Sequence, residues 1–129
     1  MTHPVELVVD IVLPGVPIPK ARPRLGRNGD TYTPRSTVEY ELGIAWAVRQ
    51  VLGAQMPDGT AEYLVRMRFY AKSRAGDIDN IAKACLDGLV RSGVVFVDDR
   101  QVTRIEAEII RGSAEPRTEV TVWRLGGKI

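Results

Sequence analysis

From Asn80 to Arg91 the apolar residues fall at Ile81, Ala82, Cys85, Leu86, Leu89 and Val90. That i, i+4 rhythm describes a helix with one stripe to bury. Such a helix needs an apolar surface to lie on, and the chain supplies one at the other period. Tyr63, Val65, Met67 and Phe69 alternate with Glu62, Arg66 and Arg68, the pattern of a strand covered on one face. A helical stripe and a one-sided strand in so short a chain restrict the fold to helices packed on a sheet.

The remaining segments fill in that plan. Val5, Leu7, Val9, Ile11 and Leu13 share one face of a first strand whose other face is half apolar, which predicts an inner strand covered on both sides. Pro14, Gly15, Pro17 and Pro19 end it. Ser36-Thr37-Val38-Glu39 reads as a capping box opening a helix to about Leu52, with Gly53 positioned to stop it. Asp77 or Asp79 can cap the second helix, and Gly93 closes it. Val94–Val97 predicts a short strand. Residues 101–110 predict another, with Ile105, Ala107 and Ile109 inward. The turn Gly112–Pro116 leads to a last strand, Thr118–Leu125. The expected fold class is α/β in the broad sense (α+β): one domain over residues 1–129, a mixed β-sheet packed with two main helices in the order β-α-β-α-β-β-β. Trp46, Tyr63, Phe69, Phe96 and Cys85 are expected in the core. Trp123, on the less regular face of the last strand, is a candidate subunit contact.

Charge is distributed unevenly. The chain has 18 Lys+Arg against 16 Asp+Glu, a net +2 that implies no particular partner. Yet Lys20, Arg22, Arg24, Arg27 and Arg35 fall in residues 20–35 with Asp30 as the one acid. A basic loop of this length is usually functional, and alternating cations in a proline-stiffened segment suit a phosphate backbone. Lys72 and Arg74 extend that patch, and Tyr32 is a weak candidate for stacking. The other reading is a solvated loop kept soluble by its charge. One cysteine excludes an internal disulfide, and one histidine, His3 near the terminus, excludes a His-based metal site. A metal would have to be held by oxygen. No apolar stretch approaches the ~20 residues of a membrane span, and Met1–Pro4 lacks the pattern of a signal peptide. The expectation is a cytoplasmic protein without membrane contact.

The acidic segment carries the chemistry. Asp77 and Asp79 stand at the mouth of the second helix, Asn80 and Lys83 lie within it, Asp87 follows, and Asp98-Asp99 lie beyond its end. Two carboxylates at i, i+2 in an extended segment point the same way and repel by about 1–4 kcal/mol, a cost that a hard cation removes. Each piece has a plainer reading as well. Asp79 can be an N-cap, Asp98-Asp99 a turn, and Lys83 the i, i+4 partner of Asp87, worth ~0.3–0.5 kcal/mol.

The combination Asp77-Ile78-Asp79-Asn80-Ile81-Ala82-Lys83, Leu86-Asp87-Gly88-Leu89 and Asp98-Asp99-Arg100-Gln101-Val102, with the loop Pro17-Ile18-Pro19-Lys20-Ala21-Arg22-Pro23-Arg24, resembles the RusA-type Holliday junction resolvases. These are small endonucleases often carried by prophages. The resemblance covers most of the chain. It implies a homodimer with a mixed α/β fold that makes Mg²⁺- or Mn²⁺-dependent paired nicks across a four-way DNA junction; recombination, repair and phage DNA maturation all remain open as the process it serves. It implies metal ligands at Asp77, Asp79 and Asp99 with Asp98 beside them, and an essential lysine at Lys83. Asn80 and Asp87 would support them. Lys20, Arg22 and Arg24 rest on charge more than on motif. Three other functions remain open at this level: a nuclease for other branched or flap DNA, a DNA-binding module without catalysis, and a phage regulatory protein with Trp123 at its interface.

Overall fold

The computed structural model describes residues 2–21 and 24–126, Arg24 in its backbone alone. Strand β1 (His3–Pro14) is followed by a short hairpin, β2 (Arg24–Leu25) and β3 (Thr31–Tyr32). Helix α1 (Arg35–Leu52), strand β4 (Glu62–Tyr70) and helix α2 (Ile78–Ser92) come next. A single 3-10 turn at Asp99–Gln101 leads into β5 (Val102–Ile110), and β6 (Arg117–Gly126) ends the fold. The main sheet has the order β1-β6-β4-β5. β6 runs antiparallel to both β1 and β4, while β4 and β5 are parallel. A parallel pair needs a crossover, and α2 is that crossover. The expected class, a mixed sheet with two main helices, is what the structure has.

One face of the sheet carries the core. Val65, Met67 and Phe69 of β4 stand in register with Val122, Val120 and Thr118 of β6, and all are buried with Ile44 and Val48 of α1 and Ile81, Cys85 and Leu89 of α2. The opposite face is tied by cross-strand ion pairs, Arg66–Glu106 at 3.0 Å and Arg68–Glu108 at 3.2 Å. From Val65 on, the alternation in β4 thus separates a packed face from a wetter one, while Leu64 is buried on the other side. Tyr63, Phe69, Phe96 and Cys85 are core residues as expected, and burial pushes the Cys85 thiol well above its ordinary pKa.

Several expectations are corrected. Val94–Val97 forms no strand; it is an irregular segment whose first three residues are buried. It fills the space between α2 and the 3-10 turn, so its apolar run reflects packing rather than pairing. β1 is an edge strand, not an inner one, and Val5 and Leu7 are exposed where its register shifts. β5 is the other edge, which leaves Ile105 exposed although it points to the helical side. The box Ser36–Glu39 does not form. α1 starts two residues earlier than that box implies, at Arg35, with Pro34 in the cap position and no side-chain cap. Trp46 is 64 % exposed. Residues Thr37, Tyr40, Glu41, Ile44, Ala45 and Val48 make the buried stripe of α1, and position 46 falls off it. Trp123 is half-buried, and its indole N–H finds no partner among the described residues.

The basic segment is more ordered than a loop. Asn28-Gly29 is a strong hairpin signal, and Gly29 takes φ 87°. Arg24 pairs with Tyr32 and Leu25 with Thr31 around it.

Candidate active site

Helix α2 positions the site. Asp77 occupies its N-cap in extended geometry, φ −80° and ψ 138°, yet its side chain makes no capping hydrogen bond. Asp79 lies inside the first turn, so the two carboxylates are not a pair along one extended strand, as the spacing suggested. Both are exposed. They line a shallow recess with Glu108 of β5 and Arg111 just after that strand, two residues that the sequence did not single out. The positive end of the helix dipole favours carboxylates here by about 0.3–1 kcal/mol, with or without a ligand.

One turn on, the Lys83 ammonium stands 3.4 Å from Asp87 Oδ1 and 4.0 Å from Asp99 Oδ2. The long reach to Asp99 is weak as an ion pair, but it links α2 to the 3-10 turn sixteen residues further on. Asp98 and Asp99 part company here. Asp98 caps the 3-10 turn: its Oδ1 accepts from the Arg100 amide at 3.0 Å, which holds its carboxyl below the usual carboxylate range. Gln101 completes the box. Its Oε1 accepts from the Asp98 amide at 3.4 Å and from the Val97 amide at 2.8 Å, and its side-chain NH₂ donates to the carbonyls of Asp58 and Ala61. Capping engages one oxygen of Asp98, while Asp99 faces Lys83. The Asp98-x-x-Gln101 spacing is the signal that could have found this box.

Lys20 is not a free cation of the basic patch. Its ammonium sits 2.7 Å from Glu41 Oε2 and 3.0 Å from Asp87 Oδ2. Burial works against its charge, but these two carboxylates outweigh it and raise its pKa. Its amide donates to the Asn80 carbonyl at 2.8 Å, which ties the loop to the first turn of α2. Asn80 itself is exposed. Arg27, Arg35, Lys72 and Arg74 are exposed as expected, Arg35 in an i, i+4 pair with Glu39 at 3.2 Å. Arg22 lies outside the described residues, and so does the side chain of Arg24.

Glu41 is the residue that sequence reasoning missed. It is buried on α1, with Arg91 Nε 2.7 Å from Oε1 opposite the lysine. The signal was present, a lone acid at a position of the apolar stripe. A buried carboxylate is tolerated only when paired and hydrogen-bonded, and here each oxygen has its own cation.

Among the described residues no three acidic side chains stand close enough together to form a ready metal cage. The donor chemistry still suits a hard cation. Mg²⁺ keeps several waters and is commonly held by one or two carboxylates plus substrate phosphate oxygens, and Asp77 and Asp79 are uncommitted oxygen donors at one recess.

Fold and site together describe a small α+β domain that sets acidic donors and a lysine beside a cationic segment, the surface chemistry of a protein that handles phosphodiesters. The chain belongs to the RusA endodeoxyribonuclease family, whose model matches residues 14–123. No curated protein matches it.

Proposed function

We propose that the protein is a Mg²⁺-dependent endonuclease, with Mn²⁺ an effective substitute, that resolves four-way DNA junctions by paired nicks. The observation that carries this reading is the mouth of α2, where Asp77 and Asp79 are left without structural work one turn from a lysine that leans toward Asp99. Membership of an endodeoxyribonuclease family supports it.

Asp77, Asp79 and Asp99 would hold the metal. When bound, a divalent cation supplies activation of the attacking water and neutralisation of charge at the scissile phosphate. Lys83, exposed and only loosely paired, is free to offset the charge that grows on the phosphoryl oxygens. Asp87 orients it. Arg27, Arg35, Lys72 and Arg74, with Arg22 and Arg24, would grip the DNA backbone without reading sequence, so binding should fall steeply with salt. A homodimer would match its two-fold axis to that of the junction and place two sites on opposed strands. Among the described residues no helix is long and apolar enough to cross a membrane, and the cytoplasm remains the compartment of this reading.

The test is cleavage of a synthetic four-way junction beside a flap and a linear duplex, in Mg²⁺ and in EDTA, with Asp79→Asn in parallel. The expected result is paired nicks in the junction alone, lost in EDTA and in the variant while junction binding persists. Equal cutting of flap and junction would point to a general branched-DNA nuclease. Binding without cutting in either metal would leave a DNA-binding module, and no binding at low salt would favour a protein partner.

A further inference from the structure

A chain of charges runs from the interior of the molecule to Lys83. Glu41 is its buried anchor, its side chain 2 % exposed. One oxygen takes Arg91 from α2, the other takes Lys20 from the segment after β1, both at 2.7 Å. Lys20 then reaches Asp87 Oδ2 at 3.0 Å, and the other Asp87 oxygen meets Lys83 at 3.4 Å. Lys83 is the end of the chain, 4.0 Å from Asp99.

The backbone is built to let this happen. At Gly88, next to Asp87, a Cβ would stand 2.7 Å from Ile44 Cβ and 2.9 Å from the Glu41 carbonyl oxygen. Only glycine allows α1 and α2 to approach so closely, and that approach puts Glu41 within reach of both Lys20 and Arg91. The segment carrying Lys20 is fixed independently. Its amide is held by Asn80, Thr37 Oγ1 donates to the Pro19 carbonyl at 3.4 Å, and Pro19 packs over Gly76, where a Cβ would stand 3.1 Å from its ring.

We propose that Glu41 is a positioning residue that acts on Lys83 through Lys20 and Asp87. The inference rests on the reading of Lys83 as part of an endonuclease site. Asp87 can serve two lysines because each of its oxygens faces one. With Lys20 holding Oδ2, the pull on Lys83 is limited to one longer contact, and the ammonium stays available to Asp99 and to a phosphate. Without Lys20, Asp87 has no competing cation and draws Lys83 down onto α2 as an i, i+4 partner, away from Asp99. Glu41 keeps Lys20 in place, and Arg91 balances the second oxygen of Glu41. Lys20 thus works by holding the arrangement and not by touching DNA, and the entry to the basic segment is fastened to the residue that orients the catalytic lysine.

The experiment measures junction cleavage at saturating enzyme, together with junction affinity in EDTA, for Glu41→Gln, Lys20→Met, their double variant and Lys20→Arg. Expected is a fall of about tenfold in the cleavage rate for each of the first two, as for a misaligned group. Affinity should change by less than about twofold, because no phosphate contact is removed. The double variant should be no slower than the slower single, since both break one chain. Lys20→Arg, able to bridge the same two carboxylates, should recover most of the rate. Additive losses overturn the proposal. So does a loss confined to affinity with a shallower salt dependence, which would make Lys20 a DNA contact. If Glu41→Gln does not fold, the Lys20 pair carries the same test. Trypsin digestion of the native protein reads the anchor without activity: cutting after Lys20 should quicken in Glu41→Gln while cutting after Arg27 does not. Unchanged cutting after Lys20 sinks the anchor. Inert wild type with the expected trypsin result would sink the endonuclease reading and leave the anchor standing.

Discussion

Two groups of charged residues lie within a few turns of each other and have been treated in opposite ways. At the mouth of α2, Asp77 and Asp79 are exposed, and Asp77 occupies a cap position without capping. Between the helices, Glu41 is buried and both its oxygens are engaged by cations. Burying a charge is costly and demands partners, so the inner group is spent on holding other side chains in place and is not free to take a ligand. Leaving a charge in water costs almost nothing and keeps it available. The contrast separates residues that hold the molecule from residues that can hold something foreign to it.

The largest effect should come from the outer group and should be purely functional. Changing Asp77 and Asp79 together to Asn removes the uncommitted donors. Cleavage should fall by at least ~10³-fold, about 4 kcal/mol of lost transition-state stabilisation. Stability should hardly move, because the loss of favourable dipole contacts, ~0.3–1 kcal/mol each, is opposed by relief of their mutual repulsion. Denaturant unfolding beside the cleavage assay checks both halves. A drop in stability of several kcal/mol would mean that the two carboxylates are structural after all.

Glu41→Ala should show the reverse pattern, with damage first to the fold. Deleting one member of a buried pair leaves the others uncompensated, typically at 3–5 kcal/mol. Lys20 and Arg91 are partly open to water, at 29 % and 44 %, and can resolvate in part. About 2–3 kcal/mol is therefore expected, read as a lower denaturation midpoint at unchanged slope. A change below about 0.5 kcal/mol would erase the distinction between the two groups.

Gly88→Ala tests the geometry on which the inner group depends. The new methyl meets Ile44 and the Glu41 backbone, neither of which is a free side-chain end. Helix separation should follow, with about 1–3 kcal/mol lost to overpacking. Alanine would otherwise gain up to ~1 kcal/mol over glycine in a helix, so a stabilised variant would show that α1 and α2 part without penalty.

The two groups also differed in how far they could be read from the sequence. The stripe of α2 and the alternation of β4 gave both elements, since each is a long periodic segment with one partner surface. The acidic series was visible because its residues are close in the chain. Glu41 was not, because its partners Lys20 and Arg91 are 21 and 50 residues away and only the packing of α1 on α2 unites them. The same ignorance of packing misplaced Trp46, judged by its apolar character and not by its angle on the helix. It also misread Val94–Val97, where burial without pairing has the composition of a strand. Asp98 and Asp99 were inseparable as neighbours. The capping of the 3-10 turn separates them, through Gln101 and the Arg100 amide.

The smallest effect is a pH dependence, and its sign follows from Lys20. Burial disfavours its charge, yet the hydrogen bonds to Glu41 and Asp87 raise its pKa above the ordinary value of 10.5. A group whose pKa is higher folded than unfolded lends its stability fully below the unfolded value, and that stability fades as pH climbs through the folded one. Wild type should therefore lose stability above about pH 10.5 more steeply than Lys20→Met, which has no proton to lose there. At neutral pH the variant should already be the less stable of the two, so the gap narrows as pH rises. Denaturation midpoints collected between about pH 8 and pH 11 would measure it. Parallel curves would mean that the Lys20 ammonium contributes no net binding to its two carboxylates, and the inner group would then be held by Arg91 alone.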